Sequence, residues 1–343
     1  MKYLKKLVCP ALVMLFVMLT ACSTGKVEQP EPERSVVSGK IQGDTITIGN
    51  QSFSRDEEKV TLNLQIRSNE ILDLSVLSQC TQLQRLSINL TVISHIGYDK
   101  FNKPYIVEQT PVDLKFISAL SSLARLELNI GSGVDLSPLA GLPNLSALVL
   151  WVDGEIDLSP LADCPALIDL SLGGRGTVDL SPIKNFPELK RLRVDVYDAD
   201  WNTPDLSVLS GARCLETLSI GASRGLKQLT DVPLKKLVDV NDSGDILENL
   251  PAIPTLEYLE FSDENIHDIS PLLQHSPYIP EIVLEVGIQE MDNFTVIASA
   301  DDPLLEHLIT SIPAEQLKTL LSREGVTITL RMDQNRSAVG NHS

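Results

Sequence analysis

The residue types that most often perform catalysis are scattered in this sequence rather than grouped. Its five histidines show no His-Glu-x-x-His motif and no other paired spacing of metal ligands. No Gly-x-Ser-x-Gly motif or P-loop occurs, and Gly173-Gly174-Arg175-Gly176 lacks the lysine and the following helix of a phosphate-binding loop. We interpret this glycine run as a flexible turn. The sequence therefore predicts a protein that is not an enzyme and that has no cofactor and no metal site.

Aspartate is the one potential metal ligand that recurs with a regular pattern. It begins short segments such as Asp-Leu-Ser-Pro-Leu at Asp73, Asp113, Asp135, Asp157, Asp179, Asp205 and Asp268. If these segments stack about 4.8 Å apart, the carboxylates form a row of like charge that calcium could bridge. Alternatively, each carboxylate accepts backbone N–H groups in its own turn. One carboxylate per segment is sparse for the six or more oxygens that calcium takes, so we favour the turn.

The N-terminal segment carries chemistry of a different kind. Three lysines precede an apolar stretch that is too short for a stable membrane span, which is typical of a secretion signal. Leu19-Thr20-Ala21-Cys22 resembles the lipobox of bacterial lipoproteins. This resemblance implies cleavage before Cys22, diacylglyceration of its thiol and an extracytoplasmic protein anchored to a bacterial membrane. If the cell is Gram-negative, the lipoprotein sorting rule favours the outer membrane, because Ser23 follows the cysteine.

Three further cysteines lie in the body of the chain, namely Cys80, Cys164 and Cys214. Export would permit disulfides, but the number is odd. The repeat described next places Cys80 and Cys164 at one interior position of coils that are three steps apart. That separation of roughly 14 Å is about twice the reach of a disulfide between α-carbons. We therefore expect all three to be buried thiols that pack as small apolar side chains.

The body of the chain is repetitive. The pattern Leu-x-x-Leu-x-Leu begins at Leu123, Leu145, Leu167 and Leu189, at constant steps of 22 residues, and further copies precede and follow. The aspartate segments stand ten residues before most of these copies. Alternating apolar residues are typical of a short strand with one buried face, and Ser-Pro pairs such as Ser137-Pro138 indicate the N-cap and first position of a helical turn. The sequence therefore predicts a solenoid whose stacked coils share a leucine core.

These motifs resemble the leucine-rich-repeat family, and within it the 22-residue repeats of bacterial internalins. The best local match is Asn265-Ile266-His267-Asp268-Ile269-Ser270-Pro271-Leu272. The resemblance implies an α/β solenoid, a horseshoe with parallel concave strands and short convex helical turns, capped at both ends. Most repeats lack the asparagine that follows the strand in this family, and Gly131, Asp153 and Arg175 stand near that place instead.

The pattern divides the chain into six predicted parts. Lys40 to Ile66 alternates like a hairpin that could seal the first coil, and Asp302 to Met332 suggests helix, helix and strand. The Pro- and Glu-rich stretch after Cys22 is typical of a flexible tether. The predicted parts are a signal peptide at 1–21, a lipidated cysteine and tether at 22–39, an N-terminal β cap at 40–66, the leucine-rich-repeat domain at 67–286, a C-terminal cap at 287–332 and a disordered tail at 333–343.

The variable strand positions suggest a binding surface. In the repeat register they place arginine beside aliphatic and aromatic side chains on the concave face, and arginine and tryptophan dominate binding hot spots. Several aromatics also follow the strands at one rim, including Tyr98, Phe101 and Tyr105 in an 18-residue insertion. These aromatics could instead fold back to fill their own loops. The candidate ligand-binding residues are Arg85, Arg125, Val149, Trp151, Arg191, Arg193, Tyr197 and Trp201.

Charge limits the class of ligand. The sequence has 28 basic and 46 acidic side chains, and loss of the three signal lysines leaves a net charge of −21. Such a surface repels phosphate backbones, so we expect no nucleic-acid partner. We expect a monomer that binds a macromolecule, with protein as the first hypothesis. A glycan ligand, or an envelope structural protein with no specific ligand, are the alternatives.

Overall fold

The computed structural model of the protein describes residues 35–67, 70–93, 97–98, 104–105, 112–131, 133–199, 203–220, 226–240, 253–262, 268–275, 279–288, 308–309, 312–323 and 327–332. The predicted signal peptide, the predicted lipidation site Cys22 and the predicted tail lie outside the described residues. None of the helices in these ranges combines the length and the apolar character that a membrane crossing requires.

Short strands are the main element of the described chain. In chain order they are β1 (Ser35–Ser38), β2 (Lys40–Gln42), β3 (Thr45–Ile48), β4 (Gln51–Ser54), β5 (Lys59–Arg67), β6 (Glu70–Asp73), β7 (Arg85–Ile93), β8 (Gly97–Tyr98), β9 (Pro104–Tyr105), β10 (Arg125–Ile130), β11 (Ala147–Val152), β12 (Gly154–Ile156), β13 (Asp169–Val178), β14 (Arg191–Tyr197), β15 (Thr217–Ile220), β16 (Lys236–Val240), β17 (Tyr258–Ser262), β18 (Glu281–Ile288), β19 (Leu308–Ile309) and β20 (Thr327–Met332).

Helical segments are brief and separate the strands. The 3₁₀-helices are Ser75–Gln79, Lys115–Ala119, Ser137–Leu139, Ser159–Asp163, Ser181–Asn185, Leu206–Leu209 and Leu226–Asp231. Two α-helices are described, α1 (Ser270–His275) and α2 (Ala314–Leu321). Successive 3₁₀-helices contact one another, so they form a second layer that stacks in step with the strands.

The strands form one large sheet in which the order β5-β7-β10-β11-β13-β14-β15-β16-β17-β18 is parallel throughout. Leu126 pairs with Leu148, Leu148 with Leu170 and Leu170 with Leu192. All four leucines are buried, with at most 1% of their surface exposed. Alternation along each strand puts every second side chain into this core. The protein is a leucine-rich-repeat solenoid, as the sequence predicts.

Asp153 performs the role for which the family uses asparagine after the strand. Its Oδ1 accepts a hydrogen bond from the backbone N–H of Arg175 at 3.0 Å, which links one coil to the next. Arg175 is the equivalent position 22 residues later. A carboxylate can therefore replace the amide where only an acceptor for the neighbouring backbone is needed.

The N-terminal end differs from the predicted hairpin. Strands β2, β3 and β4 form an antiparallel sheet of their own, whereas β5 pairs in parallel with β7 and is part of the main sheet. The hairpin prediction is therefore wrong for Val60 to Ile66, because alternation identifies a half-buried strand but not its partner. The free edge of β5 is closed by Gln51, whose amide donates to Thr61 O at 3.1 Å and accepts from Asn63 N–H at 2.7 Å.

The C-terminal segment also continues the sheet. Strand β20 pairs in parallel with β18, with Ile328 opposite Ile282 and Leu330 opposite Leu284. Helix α2 covers this end with two buried leucines, Leu317 and Leu320. The predicted helix before α2 lies outside the described residues, apart from the two residues of β19. Strand β20 is therefore in register with the repeat strands and adds one more parallel strand beside β18.

Candidate functional site

The face of the sheet opposite the core, here called the outer face, carries the side chains that the sequence singled out. Arg85, Arg125, Arg191 and Arg193 are exposed there, and Val149 is partly exposed. The register places Arg85, Arg125, Ala147, Asp169 and Arg191 side by side on successive strands. The outer-face positions of β7 to β14 therefore form a continuous surface, as the repeat register predicts.

Trp151 is the most prominent residue on this surface. It is 42% exposed, and in the described part of the chain only Val36 and Ile41 are comparable exposed large apolar residues. Trp151 pairs with Gly173 of the next strand, and its indole lies against that glycine. A Cβ atom at position 173 would lie 2.7 Å from ring atoms Cε3 and Cζ3. Glycine at 173 is therefore what allows the indole to lie across the neighbouring backbone.

The glycine run after Ser171 is not the flexible turn that we expected. Gly173, Gly174 and Gly176 belong to the ten-residue strand β13. A Cβ at Gly174, which has a φ of +119°, would lie 2.1 Å from Val152 O, and a Cβ at Gly176 would lie 1.7 Å from Gly154 O. These glycines serve close backbone approach. The signal in the sequence was the 22-residue interval between Gly154 and Gly176, which are paired in the structure.

Two of the arginines are engaged with acidic neighbours on the same face. Arg191 Nε lies 3.0 Å from Asp169 Oδ2, and Arg125 Nε lies 2.7 Å from Glu127 Oε1. About half of each arginine side chain remains exposed. The Asp169 partner is 22 residues before Arg191, so the repeat register could have identified it. Each exposed pair contributes little stability and leaves guanidinium N–H donors available.

The predicted rim residues are only partly placed. Tyr197 ends β14 and is half-buried, and both Tyr197 and Arg193 have interaction partners in the protein. Tyr98 and Tyr105 lie in β8 and β9, which pair as a two-stranded antiparallel sheet. Phe101 and Trp201 lie outside the described residues. The outer face is therefore better defined than the rim.

Two outer positions of the C-terminal strands are buried. Glu260 of β17 is 9% exposed and Val283 of β18 is 3% exposed, although both occupy outer positions. The Tyr258 hydroxyl donates a hydrogen bond to Glu260, and Lys236 Nζ lies 5.1 Å from the centre of the Tyr258 ring. Sequence patterns gave no signal of this burial. Burial on the outer face is therefore local to Glu260 and Val283, whereas Lys236 of β16 and Glu281 of β18 remain exposed.

The aspartate column closes turns, as we favoured. Each aspartate accepts a hydrogen bond from the backbone N–H two residues later, at 2.8 to 3.0 Å; these are Asp73, Asp113, Asp135, Asp157, Asp179, Asp205 and Asp268. Hydrogen bonds from Ser159 hold the pKa of Asp157 below its usual value, against repulsion from Asp135 and Asp179. Within the ranges given above, no three potential ligands are grouped to hold a metal ion.

The predicted N-cap role of the serines is wrong. Ser137 and Ser159 are the first residues of their 3₁₀-helices, and the preceding leucines occupy the cap position without a side-chain bond. The aspartate one residue earlier satisfies the free N–H instead. The serine hydroxyl is not needed as the N-cap acceptor, because a carboxylate two residues before the N–H group already accepts its hydrogen bond and closes the turn.

The three cysteines in the described part of the chain are free thiols. Cys80 and Cys164 are buried, and burial raises the pKa of both thiols. The thiol of Cys164 donates to Leu139 O at 3.2 Å. Cys214 is only partly buried, contrary to expectation, and its thiol donates to Pro187 O. Cys80 and Cys164 therefore act as small core residues, as predicted.

An acidic cleft of about 560 Å³ lies beside β12 and β13, away from Trp151. It is lined by Glu155, Ile156, Asp157, Thr177, Val178, Asp179, Leu180, Asp205 and Val208. The sequence did not predict it. Its three aspartates are the ones that close their own turns, so their positions are explained by the fold.

Comparison with known proteins finds similar solved structures. No protein-family model and no curated protein matches the sequence. An internalin C2 from Listeria monocytogenes is 20% identical over 68% of this chain and 85% of its own, with a TM-score of 0.38. An internalin F from the same species is 19% identical over 62% and 72%, with a TM-score of 0.33. Plant peptide hormone receptor RGFR1 in complex with RGF2 is 18% identical over 64% and 39%, with a TM-score of 0.31.

Proposed function

We propose that this leucine-rich-repeat protein is an extracytoplasmic binding protein, held on a bacterial membrane by a lipid on Cys22. Its outer face and the rim where the strands end bind a macromolecule, which we take to be a protein. The observation that carries the proposal is the exposed indole of Trp151 lying on Gly173. The binding residues are Arg85, Arg125, Val149, Trp151, Arg191, Arg193, Tyr197 and Trp201.

A partner that covers Trp151 would remove its exposed apolar surface from water. Large aromatic side chains bury 150–250 Å² when fully covered, so a partner that covers the free part of Trp151 gains substantial apolar contact. The glycine beneath the ring fixes the indole before binding, which lowers the entropy that binding would otherwise cost. Trp151 therefore has the properties of an interface anchor.

The charged side chains on the same face as Trp151 suit the polar periphery of a protein interface. Arg191 is paired with Asp169 and Arg125 with Glu127, and each pair is about half exposed. Acidic groups of a partner could approach these guanidinium groups without leaving a buried charge unpaired. This arrangement, with an apolar centre and partly satisfied charges around it, is typical of protein interfaces.

The test is site-specific photocrosslinking on intact cells. A photoreactive residue replaces Val149 in one variant and Lys184, which is exposed on a 3₁₀-helix, in the matched control. We expect a protein species captured from position 149, absent from position 184, and lost when Trp151→Ala and Arg193→Ala are added. Capture that is equal at both positions, or insensitive to the double substitution, would contradict binding through the outer face.

The flat, exposed indole also favours a second candidate ligand, a glycan, because aromatic rings stack on sugar rings. Binding to a glycan array that is lost on Trp151→Ala, together with no protein capture at position 149, would support this alternative.

The lipid anchor is tested separately. Growth with an alkyne-tagged fatty acid should label the full-length protein, and Cys22→Ser should abolish the label and release the protein from the membrane fraction. The matched control is Cys9→Ser, which changes a cysteine of the same N-terminal segment. Labelling that survives Cys22→Ser would remove the anchor from the proposal.

A further inference from the structure

The first three strands of the main sheet carry two rows of like side chains, of which the sequence singled out only Arg85 and Arg125. The first outer position of β5, β7 and β10 holds Lys59, Arg85 and Arg125, here called the basic row. The third outer position of the same strands holds Asn63, Asn89 and Asn129, here called the amide row. Thr61, Ser87 and Glu127 lie between the two rows.

The basic row concentrates positive charge in a chain whose net charge is −18. All three of its residues are exposed. The two rows and the residues between them make up nine outer positions. Glu127 is the single acid among them, and it pairs with Arg125. Within the described residues, neither Lys59 nor Arg85 has an ionic partner. Two exposed cations side by side form a surface that attracts anionic groups, although Glu57 and Glu58 directly precede Lys59 in the sequence.

The amide row matches a polypeptide backbone. Asn89 Nδ2 donates to Asn63 Oδ1 at 3.0 Å, so neighbouring amides are aligned. Each side-chain amide has two donors and an acceptor, which is enough to bond its neighbour and also a peptide group. Three amides about 4.8 Å apart span roughly three residues of an extended chain. The two rows are about 13 Å apart along the strands, within the combined reach of facing side chains.

We propose that the outer face of β5, β7 and β10 binds an acidic, extended segment of a protein partner. The amide row holds the backbone of that segment, and the basic row pairs with its carboxylates. This inference rests on the proposed function in that the ligand is a protein. An anionic polysaccharide such as polygalacturonate is the competing ligand, and its hydroxyl groups can also bond to the amides, so its binding is measured as an outcome of the test.

The test compares two polyanions of equal charge that differ in their backbone. Fluorescence anisotropy measures binding of a dye-labelled 12-residue poly-L-glutamate and of a polyacrylate of the same charge to the full-length chain in mild detergent. A polygalacturonate of the same charge is measured beside them. Mutual repulsion keeps both probes extended. We expect poly-L-glutamate to bind, and its affinity to fall roughly tenfold or more when salt rises from about 0.05 M to about 0.5 M, because salt screens the exposed charges.

The variants separate the two rows. The triple substitution Lys59→Gln, Arg85→Gln and Arg125→Gln should weaken both probes about tenfold, as expected for loss of three exposed ion pairs. Asn89→Ala with Asn129→Ala should weaken poly-L-glutamate by roughly tenfold, as expected for two lost hydrogen bonds, and leave polyacrylate unchanged. Thermal unfolding of each variant confirms that the fold is intact.

The control variant changes exposed lysines that lie outside both rows. Lys190→Gln with Lys235→Gln removes two exposed lysines that pair with Glu216, and should leave both probes unchanged. The variants used here leave Val149 and Trp151 unchanged, so a negative result in this assay is distinguishable from failure of the photocrosslinking test. Absence of poly-L-glutamate binding, or equal binding by the basic-row variant, would overturn the proposal. If polyacrylate or polygalacturonate binds as tightly as poly-L-glutamate and the asparagine substitutions have no effect, the ligand class is a polyanion and the assignment to a peptide is wrong.

Discussion

Replacement of Gly173 by alanine tests whether the indole of Trp151 depends on the glycine beneath it. The added methyl would lie 2.7 Å from the Trp151 ring, so the indole must move. Overpacking of this kind costs about 1–3 kcal/mol. The same substitution reduces the freedom of the unfolded chain, which contributes about 0.4–1 kcal/mol of stability where the backbone tolerates alanine. We therefore expect Gly173→Ala to lower the free energy of unfolding by about 1–2 kcal/mol.

A double-mutant cycle in urea measures this effect. In a Trp151→Ala background the clash no longer exists, so Gly173→Ala should be neutral or slightly stabilising. Gly133→Ala is the matched control, because its added methyl would meet only Asp153 O at 3.8 Å. It should change the unfolding midpoint little. Equal destabilisation by Gly173→Ala with and without the indole would refute the contact on which the binding proposal depends.

Other predictions concern the backbone, the turns and the sheet edge. Gly176→Ala places a methyl 1.7 Å from Gly154 O and should destabilise by at least about 3 kcal/mol in chemical denaturation. Hydrogen bonds from Ser159 lower the pKa of Asp157 in the folded state, so the contribution of Asp157 to stability is present above the unfolded pKa of about 4 and is lost as pH falls through the lower folded pKa. Asp157→Ala should therefore flatten the acid side of a profile of stability against pH. An unchanged profile would contradict this. Gln51→Ala leaves two backbone groups of β5 without their side-chain partner, so light scattering should show more self-association.

The repeat core was predictable because its physics is local. A buried position every second residue, repeated at 22-residue steps, is enough to identify Leu126 and Leu148 as neighbours from the sequence alone. The turn-closing role of Asp157 followed from the same logic, because an aspartate two residues before an N–H group is sufficient to close a turn.

Features that depend on a particular neighbour were not predictable in this way. The alternation of β5 is the same whether its partner is parallel or antiparallel, so the end of the sheet was misassigned. The run from Gly173 to Gly176 looks flexible in isolation, and only the approach of Val152 and Gly154 shows why glycine is required. Burial of Glu260 on the outer face breaks the alternation of buried and exposed residues along β17, so the repeat pattern does not encode it.

The constant interval between β10, β11, β13 and β14 has a consequence for how such a protein can change. Each of these strands pairs residue for residue with the strand 22 positions away. Duplicating or deleting one interval would therefore preserve the backbone register and the leucine file at the junction and leave both ends of the chain untouched. The footprint offered to a partner would grow or shrink by about 4.8 Å per unit, so recombination within the gene could adjust ligand size without redesigning a core.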